Sequence, residues 1–169
     1  LCNADFTNFE VPVNQQGKAF HSYGVMQVSN DGNTIYFAKS GFTNLLDVFK
    51  IVRISSYWEE IQISGSSSFD YNFSPFLSYE EDRLLFESSD DISFSTAISQ
   101  VNVSGLNYGV YVSINDIGGA TQIKSPSYDI GNNVYFEGET DAERVYKINV
   151  GGSPQIVNNN FTNDNSPVA

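Results

Sequence analysis

Three stretches of this chain share one order of apolar and polar positions. Each consists of a short apolar segment, a polar turn, and a second apolar segment that ends in phenylalanine. The stretches cover residues 25–40, 74–89 and 125–139, and their phenylalanines are Phe37, Phe86 and Phe136. These phenylalanines lie 49 and 50 residues apart. Such a period, built from short strands, predicts a β-propeller-like array in which each repeat forms one blade.

Strand signals dominate the chain, and apolar positions at helical spacing are nearly absent. The predicted strands are Thr34–Ala38, Val48–Ile54, Glu60–Ile63, Arg83–Glu87, Val110–Ile114, Asn133–Glu137 and Val145–Val150. Most of them are bounded by clusters of Gly, Asn, Asp and Ser, which favour turns. A short final strand of each unit is predicted at the recurring pairs Gln62-Ile63, Gln122-Ile123 and Gln155-Ile156. The third strands are then Val48–Ile54, Val110–Ile114 and Val145–Val150.

We therefore predict an all-β chain, a propeller-type array of about three four-stranded blades. The blades cover approximately residues 24–72, 73–123 and 124–163, within a single propeller-like domain at 1–169 whose ends are out of phase with the blades. Residues 90–107 are expected to be an insertion between the second and third strands of the second blade, with the apolar alternation of an extra hairpin.

Three blades are too few for a ring closed by one chain, which needs at least about four. A fourth copy of the repeat starts at Ser166 and Pro167. Two arrangements follow: the chain is part of a longer propeller, or two copies assemble into a six-bladed ring. Because both ends break in mid-blade, the first arrangement is favoured.

The net charge of the chain limits the classes of partner that it is expected to bind. It has 20 acidic and 8 basic residues, a net charge of −12 at pH 7. Nucleic acids and anionic membrane surfaces both attract Lys and Arg, so neither is expected as a partner. No apolar run approaches the roughly 18 residues that span a bilayer, so no membrane span is predicted. Calcium remains an open alternative, with Glu80, Glu81 and Asp82 in one turn as weak candidates, and no other cofactor is expected.

Few residues offer catalytic chemistry. His21 is the only histidine and Cys2 the only cysteine. Thiol catalysis and a Cys/His zinc site therefore have no support, and no Gly-x-Ser-x-Gly motif is present. Glu87 and Glu137 follow the repeated phenylalanine, which favours a repeated structural role over the paired carboxylates of a glycosidase. No catalytic residue is predicted, and a protein without enzymatic activity is favoured.

Two aromatic residues are candidates for ligand binding. Tyr57 and Trp58 precede a predicted last strand, where side chains can be exposed at the edge of a blade. Exposed Tyr and Trp favour contacts with sugars or proteins. The alternative is that both pack between blades.

The repeats resemble the TolB-like, WD40-like propeller repeat called PD40, which is common in bacterial envelope proteins. The segment Ser29–Ser40 matches its Ser-Pro-Asp-Gly phrase with Asn30 in place of Pro. Ser74–Ser78 matches the opening of the phrase, and Leu85–Ser88 matches its end. Tyr57–Glu60 is similar to an aromatic connector in relatives found beside OmpA-type peptidoglycan-binding domains. The resemblance covers about residues 20–169.

The resemblance implies a non-catalytic binding or scaffolding module in the bacterial periplasm, at the cell surface or outside the cell. Cys2 is then either a free thiol or a lipidated first residue. Open edge strands have unpaired backbone groups, so contacts with a protein partner or with a second copy are expected there. The alternatives are a carbohydrate-binding propeller and the propeller portion of a secreted hydrolase, either a glycosidase or a prolyl-oligopeptidase-type peptidase.

Overall fold

A computed structural model of the chain describes residues 11–41, 44–64, 67–104, 108–140 and 142–157. In this part of the chain, twelve strands form three four-stranded antiparallel sheets, which confirms the predicted all-β class. The first sheet contains β1 (Tyr23–Val28), β2 (Thr34–Lys39), β3 (Asp47–Ile54) and β4 (Tyr57–Gln62). The second contains β5 (Tyr71–Leu77), β6 (Arg83–Ser89), β7 (Ala97–Asn102) and β8 (Tyr108–Ser113). The third contains β9 (Gln122–Tyr128), β10 (Val134–Glu139), β11 (Glu143–Ile148) and β12 (Gln155–Ile156).

The strands of each sheet lie side by side in chain order, as in the blades of a propeller. One short 3-10 helix, Ile114–Ile117, connects the second sheet to the third. No helix in the described ranges is long and apolar enough to cross a membrane. Cys2 and the fourth copy that starts at Ser166 lie outside the described residues.

The second sheet differs from the prediction in its later strands. Residues 90–107, predicted as an insertion, contain β7, the third strand of this sheet. The alternating apolar residues of this stretch pair with β6, with Ala97 opposite Ser88 and Ile98 opposite Glu87. The predicted third strand is therefore the fourth strand, β8, and Gln122-Ile123 opens β9 instead of closing the second sheet. The prediction was wrong here because it matched Gln122-Ile123 to Gln62-Ile63, although the first pair opens β9 and Gln62 ends β4.

A bulge interrupts the first strand of every sheet, opposite the repeated phenylalanine. The pairing of β1 with β2, of β5 with β6 and of β9 with β10 shifts register at this point. Gly24, Ser74 and Ser125 occupy the bulges with φ of 70°, 49° and 54°, so two serines adopt a left-handed backbone conformation that favours glycine. The prolines that follow these serines are tolerated because β5 and β9 are edge strands.

Apolar faces of neighbouring sheets pack on one another. Between the first and second sheets lie Tyr36, Val48, Ile63, Leu77, Leu84, Phe86 and Val101. Between the second and third lie Leu85, Ile98, Val112, Ile117, Ala120, Ile123, Tyr128, Val134, Phe136, Tyr146 and Ile148. Phe86 and Phe136 thus face the preceding sheet. Phe37 occupies the equivalent position in the first sheet.

The face of the first sheet that is turned away from the second is apolar, and we call it the leading face. It is formed by Phe37, Phe49, Ile51 and Trp58. The N-terminal segment covers part of it: Phe20 contacts Phe37 edge-on, with ring centroids 6.4 Å apart. A cavity of about 200 Å³ remains between this segment and the sheet.

Buried polar groups also join the first and second sheets. The Asp47 carboxylate is fully buried, and its Oδ1 accepts hydrogen bonds from the Ser64 hydroxyl at 2.7 Å and from the Asn44 amide at 2.9 Å. The buried Asn72 of β5 donates its backbone N–H to the carbonyl of Leu46 at 2.8 Å. Because an unpaired buried polar group is costly, these bonds favour one placement of the second sheet on the first.

Candidate functional site

The first strands of the three sheets lie next to one another and line a cleft. Strand β5 contacts both β1 and β9, so the three strands form the inner side of the array. The cleft has a volume of about 250 Å³. Its lining residues are Val25, Ser74, Pro75, Phe76, Glu87, Ser125, Pro126 and Ser127. The repeated Ser-Pro pairs of β5 and β9 therefore face one cleft, which we call the inner cleft.

Glu87 places a buried carboxyl group in the inner cleft. The residue is 7% exposed, and its Oε1 accepts a hydrogen bond from the backbone N–H of Ser125 at 3.0 Å. Burial raises the pKa of Glu87 to about 7, although the hydrogen bonds from Ser125 and from the Ser74 hydroxyl oppose this shift. The Ser125 bond is available because the bulge turns this N–H away from the β9–β10 ladder. Glu87 thus joins the second sheet to the third.

A second buried group in the inner cleft has spare hydrogen-bonding capacity. The hydroxyl of Ser127 is buried and finds no partner among the described residues. Together, this hydroxyl and the Glu87 carboxyl can donate hydrogen bonds to a polar ligand and accept hydrogen bonds from it. The lining residues include neither histidine nor cysteine.

Strand β1 has the most exposed apolar side chains of the three first strands. Tyr23, Val25, Met26 and Val28 are all 55–59% exposed. By contrast, β5 and β9 contain no residue that is as exposed. Strand β1 also lacks the proline that interrupts the edges of β5 and β9. Because an apolar edge strand without proline can pair with another chain, β1 is a candidate contact surface beside the inner cleft.

The structure buries Trp58, one of the two predicted ligand-binding residues. Trp58 is 5% exposed and packs on the leading face with Phe37, Phe49 and Ile51. Its backbone N–H donates to the carbonyl of Val13 at 2.8 Å, and its indole N–H finds no partner in the described ranges. Tyr57 is half-buried at the start of β4. These positions fit packing better than contact with a ligand, and the binding role of both residues stays a prediction.

The predicted acidic turn lies between β5 and β6. Glu81 has a φ of 59°, the left-handed conformation that Gly32 adopts in the first turn, and its carboxylate accepts the backbone N–H of Asn30. Asp82 accepts a hydrogen bond from the Ser78 hydroxyl at 2.9 Å. Within the described ranges, no group of three or more His, Cys, Asp or Glu residues is arranged to hold a metal ion. Calcium binding by Glu80, Glu81 and Asp82 therefore stays a prediction.

Sequence reasoning did not select Glu87 as a site residue. Its position after the repeated phenylalanine indicated a structural role, and its bond to Ser125 agrees with that role. The Ser-Pro pairs were a stronger signal of the cleft. They recur in consecutive repeats, which predicts that they lie on the same side of neighbouring sheets. The sole histidine, His21, is exposed and does not line the inner cleft.

Comparisons with known proteins support the fold alone. No protein-family model matches the chain, and no curated protein matches it. A solved structure of a TolB candidate from Agrobacterium tumefaciens is similar over 79% of this chain, with a TM-score of 0.61 and 12% identity. A structural-genomics protein of unknown function from Bacteroides thetaiotaomicron matches over 76% of this chain, with a TM-score of 0.49 and 19% identity. The chain spans 45% of the length of the first protein and 31% of the second.

The similarity to the TolB candidate identifies the arrangement of the three sheets as propeller-type and TolB-like. The inner cleft then corresponds to the side of the blades that surrounds the central channel of a propeller. The finer assignment of the repeats to the PD40 type has no matching family model.

Proposed function

We propose that this chain is a non-catalytic, propeller-type module that binds a protein partner through β1 and the inner cleft. The observation that carries the proposal is the exposure of four apolar side chains, Tyr23, Val25, Met26 and Val28, on one edge strand. When a partner covers water-exposed apolar side chains, the complex is stabilised by about 25 cal/mol for each Å² that is buried. An edge strand adds backbone hydrogen bonds to that gain.

The inner cleft supports the same proposal, because it offers polar groups next to the apolar edge. Val25 of β1 lines the cleft together with Glu87 and Ser127. An extended peptide segment that pairs with β1 would place its side chains and amide groups within reach of these residues. The TolB-like fold is consistent with protein binding. On the resemblance of its repeats, we further propose a location in the bacterial envelope or outside the cell.

Site-specific photocrosslinking tests the proposal. Val25 is replaced with p-benzoylphenylalanine in the full chain, which is expressed in a bacterium and irradiated. We expect a discrete crosslinked protein in the envelope or secreted fraction, identified by mass spectrometry. The control position is Ile130, which is 84% exposed in the turn between β9 and β10, away from β1. The same products from both positions, or none from Val25, would contradict the proposal.

A second variant links the crosslink to the apolar edge. Met26→Lys is combined with p-benzoylphenylalanine at position 25. It should abolish the crosslinked product because it places a charge on β1. Met26 is 56% exposed, so the stability of the fold should change by less than about 0.5 kcal/mol. A product of twice 18.7 kDa that contains only this chain would identify the partner as a second copy.

A further inference from the structure

The Glu87 carboxyl in the inner cleft is buried and forms no ion pair within the described residues. Its hydrogen bonds come from neutral groups, the backbone N–H of Ser125 at 3.0 Å and the hydroxyl of Ser74. Lys124 acts on Glu87 only through its charge, because its Nζ pairs with Glu143 at 2.5 Å. A buried carboxylate is costly unless it is paired, so a cation in the cleft would stabilise the ionised form of Glu87.

The surroundings of the inner cleft favour a cation as the ligand. The charge of Glu137 opposes the ionisation of Glu87, and this effect is larger than the favourable effect of Lys124. The residues that line the cleft include neither lysine nor arginine. The whole chain has 20 acidic and 8 basic residues. The field of the protein therefore attracts cationic groups to the cleft and repels anionic ones.

The other walls of the inner cleft suit an aliphatic chain. Val25, Pro75, Phe76 and Pro126 line it with apolar surface. Its volume of about 250 Å³ is below the roughly 300–1,000 Å³ of pockets for drug-sized molecules, so it suits one side chain. Lysine and arginine combine a charged end with an aliphatic stem that apolar surface can cover.

A second polar residue lines the same cleft. Ser127 is 6% exposed, and its hydroxyl finds no partner among the described residues. A hydroxyl oxygen accepts hydrogen bonds, and a buried one without a partner is costly. An ammonium group has three N–H donors and a guanidinium group has five. Either group therefore has donors left for Ser127 after it bonds to Glu87.

We propose that the inner cleft binds one basic side chain, lysine or arginine, of the partner segment, with its charged end at Glu87 and its stem against Pro75 and Pro126. This inference rests on the proposed function, since it names the residue that the partner presents beside β1. Val25 connects the two surfaces, because it belongs to β1 and also lines the cleft. In an extended segment paired with β1, every second side chain lies on the side of the cleft.

Small probes test the charged end and the stem separately. We titrate n-butylammonium, n-butylguanidinium and the neutral 1-butanol into the full chain at pH 8, and follow the amide signals of Ser125 and Ser127 by NMR. At this pH Glu87, whose pKa is raised to about 7, is mostly ionised, and both cations keep their charge. We expect saturable shifts with both cations. The affinity for 1-butanol should be lower by about tenfold or more, because it lacks a hydrogen bond between charged groups.

Two variants with the same change of net charge localise the effect. Glu87→Gln keeps the shape of the side chain but removes its charge, so it should weaken the binding of both cations by about tenfold or more. Glu59→Gln is the matched control, because Glu59 is exposed on β4, the strand of the first sheet farthest from β1. This control should leave both affinities unchanged.

Equal affinities for 1-butanol and the two cations, or cation binding that survives Glu87→Gln, would overturn the proposal. An equal loss in Glu59→Gln would also overturn it, because the net charge of the chain would then account for the effect. With binding as expected, the tighter cation indicates whether the partner presents lysine or arginine.

The crosslinking experiment at Val25 separates this inference from the proposed function. A crosslinked partner together with no saturable cation binding would overturn this inference alone. Cation binding in the cleft without a crosslink would support the basic-residue site and contradict only the protein partner on β1.

Discussion

Glu87 and Glu137 occupy one position in consecutive sheets but have different surroundings. The Glu87 carboxylate accepts a backbone N–H from the next sheet, and the apolar residues around it, such as Leu85 and Ile98, are fully buried. The Glu137 carboxylate is also buried, but its interactions are with Lys124 and the Ser125 hydroxyl of its own sheet, its Oε1 finds no partner among the described residues, and Tyr135 beside it is half-buried. In a repeat protein each unit interacts with its neighbours. The same residue position therefore contributes differently to stability in the joint between two packed sheets and on the outer, open face of a terminal sheet.

The two outer faces of the array both have lysines that pair with carboxylates or lie over aromatic rings. On the leading face of the first sheet, Lys39 pairs with Glu60 at 2.6 Å and lies 4.5 Å from the centre of the Phe49 ring. The face of the third sheet that is turned away from the second, which we call the trailing face, also carries charged groups. On the trailing face, Lys147 lies over the ring of Tyr135 at 5.3 Å, and Lys124 pairs with Glu143. In such pairs the charged end of the lysine stays partly hydrated, while the aliphatic part of its side chain covers apolar surface. Both outer faces therefore have such pairs, and on the leading face the N-terminal segment adds further cover through Phe20.

The largest expected difference is in the loss of stability when Leu85, between the second and third sheets, and its counterpart Tyr135, on the outer face of the third sheet, are replaced. Leu85 is fully buried between the second and third sheets, and Tyr135 occupies its position in the third sheet. Leu85→Ala should lower the free energy of unfolding by about 2–5 kcal/mol, because it leaves a cavity in a packed joint. Tyr135→Ala should cost about 1 kcal/mol. Urea denaturation at constant pH measures both, and equal losses would show that the trailing face is as fully packed as the joint.

The next expected effect is a dependence of stability on pH that comes from Glu87. Its pKa is raised to about 7 in the folded protein from an ordinary value of 4.5. Between these two values the folded protein holds a proton that the unfolded chain releases, so this residue makes stability fall as the pH rises through that window. The total loss is at most roughly 3 kcal/mol. Glu87→Gln should therefore equal the wild type near pH 4.5 and exceed it in stability above pH 7.

Thermal unfolding of both proteins between pH 4 and pH 8 makes this measurement. The pKa of Glu137 is also raised by burial, with Lys124 opposing, so the wild-type profile alone contains both residues. The difference between Glu87→Gln and the wild type isolates Glu87. A difference that stays constant with pH would contradict the role assigned to this carboxyl.

The smallest expected effect concerns close packing at a glycine. A Cβ on Gly138 would lie 2.6 Å from Ile117 and 2.7 Å from the ring of Tyr146, which stacks on Phe136. Gly138→Ala should therefore destabilise the joint by about 1–3 kcal/mol. The control is Gly109→Ala in β8, where a Cβ meets nothing within 4 Å, and this change should be neutral or slightly stabilising. Chemical denaturation compares the two, and equal effects would show that Ile117 yields without cost.

Much of the fold was predictable from local sequence. The repeated phenylalanine, the polar turns and the alternating strands predicted four-stranded units, and β2, β3, β6 and β10 lie close to where they were expected. The prediction for the second sheet was partly wrong because Gln122-Ile123 was matched to Gln62-Ile63, and this assigned the residues of β7 to an insertion. Of the predicted site residues, Trp58 lies in a packed face, and its binding role stays a prediction.

The sequence by itself determined the repeating units, since strand alternation, turn residues and Ser-Pro pairs act over a few neighbouring positions. Only the tertiary structure decided which faces are covered and which groups meet. Glu87 and Ser125 are 38 residues apart, and their hydrogen bond exists because two sheets pack side by side. Alternation in a strand distinguishes two faces but does not state which face receives a neighbour. That choice depends on the whole array, and it gives Glu87 a backbone hydrogen-bond donor from the next sheet.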